Sequence, residues 1–192
     1  MDRHSPEGLK NTTQSWKEDT ETLMQYVSQF PLVNSIITPR FLPSCTPKML
    51  QTMGKIAQAY NLPVQSHLSE NKKEIQWVRE LEPQSTCYGD AYNRYGLFGQ
   101  TPTLMAHCCY SDGEELQLLR DNGVYVVHCP TSNCNLASGI APIRRFLQAG
   151  IPVVLGSDIA AGHHLSIFRV MQYAVQMSKL QYALTDGKYP FL

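Results

Sequence analysis

No sign of charge predominates in these 192 residues: sixteen Lys and Arg balance sixteen Asp and Glu, and charged residues make up only 17% of the chain. The field that draws nucleic acid or an anionic membrane surface is therefore absent, and small, weakly charged partners fit better. No apolar run approaches the length of a membrane span, and residues 1–6 lack the apolar core of a signal peptide, so the chain reads as soluble and intracellular. The six cysteines, Cys45, Cys87, Cys108, Cys109, Cys129 and Cys134, form no Cys-x-x-Cys pair and no regular framework. That argues against a thiolate zinc site or a disulfide scaffold and for reduced thiols in the cytosol. A Gly-x-Ser-x-Gly nucleophile elbow is also missing, which sets aside a serine hydrolase of that kind.

What is present is alternation. With 43% hydrophobic residues, the chain has the length and apolar content of one globular domain, which need not be a complete one. Residues 1–18 are polar and broken by Pro6 and Gly8, and read as an N-terminal loop; residues 19–192 form the domain. Helical spacing of Leu23, Tyr26, Val27 and Phe30 predicts a helix over 19–30 that Pro31 stops. Thr46 and Pro47 are a sound N-cap and first-turn pair for a helix whose stripe is Met49, Leu50, Met53, Ile56, Ala57 and Tyr60. Further helices are expected over 72–81, after a Ser111/Glu114 capping box as far as Gly123, around Ile143 to Leu147, and over 166–180. Between them lie five short, near-continuous apolar runs, at 33–37, 64–67, 103–106, 124–127 and 151–155. Such runs call for a parallel sheet covered by helices, an α/β fold with about five strands.

Polar residues sit at one recurrent place. Arg40, His67, His107, His128 and Asp158 each follow the C-terminal end of a successive strand, and in a parallel α/β barrel those ends build one site. Glu70 comes three residues after His67, where the strand becomes a loop, so the pair can converge with one group on a metal and the other moving protons. His128 also has a structural reading, because Cys129-Pro130-Thr131-Ser132-Asn133 is a plausible turn. His4, His163 and His164 read as solvated loop residues.

The segments Thr38-Pro39-Arg40-Phe41, Gln65-Ser66-His67-Leu68-Ser69-Glu70-Asn71, Met105-Ala106-His107-Cys108, His128-Cys129-Pro130-Thr131-Ser132-Asn133 and Leu155-Gly156-Ser157-Asp158 resemble, in order and spacing, those of the amidohydrolase superfamily of metal-dependent (β/α)8 TIM barrels. The Arg-Phe pair and the His-Leu-Ser-Glu-Asn run resemble its guanine deaminase branch. The resemblance implies zinc-dependent hydrolysis of guanine to xanthine and ammonia by a homodimeric cytosolic enzyme. It implies His67 and Asp158 as zinc ligands, Asp158 also as general base, Glu70 as proton shuttle and His107 as the group that orients the attacking water. It implies Arg40 and Phe41 as the residues that bind the purine, lined further by His67, Glu70 and Asp158.

One departure stands against these matches. The family's first strand carries a His-x-His pair that supplies two more zinc ligands, and this sequence has none; His163-His164 is adjacent and follows Asp158. By motif order the five strands correspond to strands four to eight of the family, so a partial barrel without the first strands and the small β domain is expected. Such a chain is expected to bind zinc weakly, to be inactive alone and to associate through apolar faces left open. Two other readings follow: a non-catalytic isoform or partner subunit, and a deaminase or chlorohydrolase of another nitrogen heterocycle.

Overall fold

The structure, a computed structural model, describes residues 1–192. Four parallel strands form one sheet in the order β1-β2-β3-β4: β1 Val64–Leu68, β2 Thr103–His107, β3 Tyr125–His128 and β4 Val153–Leu155. Each strand pairs with its neighbour in sequence, with Val64 opposite Thr103, Leu104 opposite Tyr125 and Val126 opposite Val153. Consecutive parallel neighbours joined by helical crossovers make an arc of a barrel rather than a doubly wound sheet.

The expected strand at 33–37 contracts to one bridge, Ile37 beside Val64. The Ile37 N–H donates to Pro63 O at 2.9 Å and its carbonyl accepts from Gln65 at 2.9 Å, but the ladder goes no further. Pro39 has no N–H to extend it. On the other side Leu32 is 97% exposed and Val33 is exposed too, so nothing packs on the start of the segment, although Ser35 and Ile37 are buried. The observed sheet thus has four strands where about five were expected.

Eight α-helices accompany the sheet. Helix α1 spans Thr13–Val27, so the polar N-terminal stretch is not loop throughout. Its start is set by Thr12 and Ser15, which exchange side-chain bonds with each other's backbone N–H at 3.0 and 3.1 Å. Helix α2, Pro47–Ala59, starts as predicted, with Thr46 Oγ1 accepting from Met49 N–H at 3.3 Å. The Asp2 carboxylate accepts from the Thr46 N–H at 2.7 Å and from its hydroxyl at 2.6 Å, which pins the N-terminus to this helix. Helix α3, Lys72–Leu81, is capped by Asn71, and α4, Tyr88–Arg94, occupies a Tyr- and Gly-rich connection where no helix is expected. Helix α5, Gly113–Asp121, is capped by Asp112 rather than Ser111. Ser111 instead turns inward and donates to the buried Glu115 at 2.6 Å. Helices α6, Pro130–Asn135, α7, Ile143–Gln148, and α8, Ile167–Leu184, complete the chain.

The core lies between one face of the sheet and the helices. Val64 and Leu68 of β1, Met105 of β2 and Val126 of β3 bury against Met49, Leu50 and Met53 of α2, Tyr92 of α4, Leu119 of α5 and Phe146 of α7. Each such side chain contributes roughly 1.5–3 kcal/mol of burial. The opposite sheet face is open, with Gln65, Tyr125 and Val154 exposed. Beyond β4, Ile159, Leu165, Ile167, Phe168 and Met171 are exposed as well. No helix is long and apolar enough to cross a membrane.

Candidate active site

The strand ends turn sharply before they become loops. Ser69, His107, Cys108 and Asp158 all take left-handed backbone conformations, with φ of 45°, 73°, 49° and 46°. A non-glycine residue there is strained, and such strain gathers where side chains must be aimed. The result is a cavity of about 520 Å³ at the C-terminal end of the sheet. Arg40, Phe41, His67, Glu70, His107 and Asp158, the six residues expected to form a site, all line it.

His67 has its ring fixed by its neighbour in the first bridge segment: Nδ1 lies 2.5 Å from the Arg40 carbonyl oxygen and donates to it, so the lone pair is on Nε2. That is the arrangement by which proteins present a histidine to a metal. Burial, and next the facing His107, hold the His67 pKa below the ordinary imidazole value, which favours the neutral ring. The two rings stack with centroids 4.9 Å apart.

His107 is 1% exposed. Its Nδ1 lies 2.7 Å from Asn133 Oδ1, which places the proton on Nδ1 and the lone pair on Nε2. The same Nδ1 stands 3.9 Å from Glu70 Oε1. On the substrate side, the Arg40 guanidinium lies 5.3 Å from the centre of the Phe41 ring, and Phe41 meets Trp77 edge to face at 6.0 Å. The corner therefore offers a fork of donors beside an aromatic wall, suited to a flat polar heterocycle.

Residues that sequence reasoning passed over also belong here. Trp77 and Glu74, both on α3, line the cavity. Glu74 accepts from the Glu70 N–H at 3.2 Å and from the Tyr88 hydroxyl at 2.8 Å. Burial pushes its carboxyl pKa up, Tyr88 opposes that, and the Glu70 charge adds to it. Glu74 sits one helical turn beyond Glu70, the available signal for it; Asn133 lies within the His-Cys-Pro-Thr-Ser-Asn run, where helix α6 begins in place of the expected turn. Deeper still, Glu115 accepts from Ser69 and Ser111 at 2.6 Å each and from the Gly89 N–H at 3.0 Å, tying two loops and the start of α4 together under the site.

His128 is not among the residues lining the cavity. It is 2% exposed, its Nδ1 has no hydrogen-bond partner, and burial, followed by His107, pushes its pKa down to about 4. It is a neutral core residue, in line with the structural reading. His163 and His164 lie on the loop before α8, where both rings pack on Tyr173.

The donors suit zinc in type and, for His67, in orientation, but not in number. No three His, Cys, Asp or Glu side chains come together closely enough to hold a metal ion. Zinc enzymes take three or more ligands from protein, more than these donors bring together.

A model of the amidohydrolase family matches residues 4–191. A protein described as a probable guanine deaminase from Schizosaccharomyces pombe is 41% identical over 195 residues, covering 98% of this chain and 37% of that protein. The guanine deaminase of Dictyostelium discoideum is 39% identical over 180 residues, covering 93% of this chain and 40% of that one. Among solved structures, guanine deaminase from C. acetobutylicum with guanine bound in its active site superposes with a TM-score of 0.96 at 48% identity, covering 100% of this chain and 46% of that chain. The chain thus spans less than half the length of the relatives it matches.

Proposed function

This chain belongs to the amidohydrolase family, and from that premise we propose that its cavity is the substrate-binding and proton-transfer part of a site that hydrolyses guanine to xanthine and ammonia. The observation that carries the reading is the convergence of Arg40, Phe41, His67, Glu70, His107 and Asp158 on one cavity at the C-terminal end of the parallel sheet. The similarity to guanine deaminases over nearly the whole chain supports it.

In this reading Arg40 donates to the polar edge of the purine and Phe41 lines the plane of its ring. Asp158 takes a proton from the attacking water as its oxygen bonds to the ring carbon that bears the amino group. Glu70 protonates the adjacent ring nitrogen; the proton held by Asp158 then passes to the amino group, which leaves as ammonia while the hydroxyl proton returns to Glu70 and the carbonyl forms. His107, with its lone pair on Nε2, accepts a hydrogen bond from the water and directs its approach. His67 and Asp158 are proposed as two ligands of a zinc ion whose remaining ligands lie outside these 192 residues. Zinc, when bound, lowers the pKa of water from about 16 to about 7 and so makes it nucleophilic at neutral pH. A cytosolic setting accords with six unpaired thiols, and a homodimer is proposed with the guanine reading.

Binding tests the substrate assignment without depending on metal. Equilibrium dialysis is expected to give saturable guanine binding, weaker adenine binding, and loss of guanine binding in Arg40→Ala. Equal retention of both purines, or guanine binding unchanged in Arg40→Ala, would remove the basis for guanine as substrate.

A further inference from the structure

We infer that Ser138 is a positioning residue that fixes the carboxylate of Glu70, an inference that rests on the deaminase reading for its catalytic meaning. Ser138 lies in the turn after α6, 68 positions along the chain from Glu70, and is 5% exposed. Its hydroxyl donates to Glu70 Oε1 at 2.7 Å.

The bond is surplus to what the turn requires. The Ser138 N–H already donates to the Asn133 carbonyl at 2.9 Å, and its own carbonyl accepts from the Tyr110 hydroxyl at 2.8 Å. Both backbone groups of the residue are therefore satisfied within the loop. The Tyr110 clamp is tight: Gly139 has φ of 154°, and a Cβ there would lie 2.9 Å from the Tyr110 hydroxyl. A hydroxyl on a residue so anchored has little freedom, which is what a fixed donor to a carboxylate needs.

Glu70 needs such a donor. Its backbone is tied to α3 through Glu74, yet its side chain reaches into the cavity, where Ser138 gives its carboxylate its one hydrogen bond and His107 Nδ1 stands 3.9 Å away, beyond hydrogen-bond reach. With Oε1 engaged by Ser138, the carboxylate plane is set and Oε2 is left free for the proton. One short segment thus holds two of the cavity's groups, His107 through Asn133 and Glu70 through Ser138.

The test is a pair of crystal structures of the full chain, Ser138→Ala and Ser138→Thr, each also soaked with guanine. Ser138→Ala is expected to keep the Tyr110 contact and the fold but to displace or split the Glu70 carboxylate by more than about 1 Å, a misplacement on the order of a hundredfold in rate for a catalytic group. Ser138→Thr, which keeps the hydroxyl, is expected to restore it. A Glu70 carboxylate that stays in place in Ser138→Ala, or moves equally in Ser138→Thr, would overturn the inference. Guanine absent from the cavity would count against the deaminase reading while leaving the Glu70 result to stand or fall separately.

Discussion

Protonation of His128 should cost the folded chain stability that is measurable and assignable. Its imidazole is 2% exposed, its Nδ1 is unpartnered, and its pKa is held down to about 4 from an ordinary 6.5. A depressed pKa means that the unfolded chain takes up a proton at a pH where the folded chain does not. The stability is therefore fully present above about pH 6.5 and is lost as pH falls toward 4. At about 1.4 kcal/mol per pH unit, the loss approaches about 2 kcal/mol by about pH 5 and about 3 kcal/mol in all. His67, also held low, adds to the loss; Glu74 and Glu115, whose carboxyl pKa values burial raises, work in the opposite direction. Urea unfolding of the native chain and of His128→Gln at about pH 7 and about pH 5 isolates the one histidine. The native chain should lose about 2 kcal/mol more than the variant between these pH values. Equal losses would mean that His128 is solvated or protonated in the fold, and its assignment to the core would be wrong.

Zinc binding by these residues alone should be weak, because two protein donors fall short of the three or four of a zinc site. Elemental analysis after dialysis is expected to find well under one zinc per chain; near-stoichiometric retention would mean that a further donor, His107 first among them, has joined His67 and Asp158. Gly54→Ala should destabilise strongly, since its Cβ would meet the backbone carbonyl of Tyr95 and force α2 away from that loop, typically by about 1–3 kcal/mol. Gly8→Ala, with nothing within 4 Å, should leave the thermal midpoint nearly unchanged, and an equal shift in both variants would refute the packing argument.

The parallel α/β arc was legible because its strands are short apolar runs and its helices carry strong starts, Thr46 with Pro47 above all. The failures have separate causes. Residues 33–37 have strand-forming side chains but no partner beyond Ile37 and no cover for Leu32, and a propensity without packing does not hold a strand. Helix α4 begins at Cys87, an N-cap that no common rule anticipates, and Ser111 was drawn from its expected cap to the buried Glu115. Of the lining residues, Arg40, His67, His107 and Asp158 were legible as polar exceptions at the ends of expected strands, Glu70 by its spacing from His67, and Phe41 through the family resemblance. Asn133 and Ser138 were not: they act on those groups from α6 and the turn after it, through single hydrogen bonds that no local spacing encodes.

The placement of guanine in a crystal of the chain tests the central claim most directly. The account predicts the purine in the cavity, with its polar edge on Arg40, its ring along Phe41 and its amino-bearing carbon turned toward Glu70 and Asp158. Guanine bound elsewhere, or held in the cavity without contact to Arg40, would contradict it.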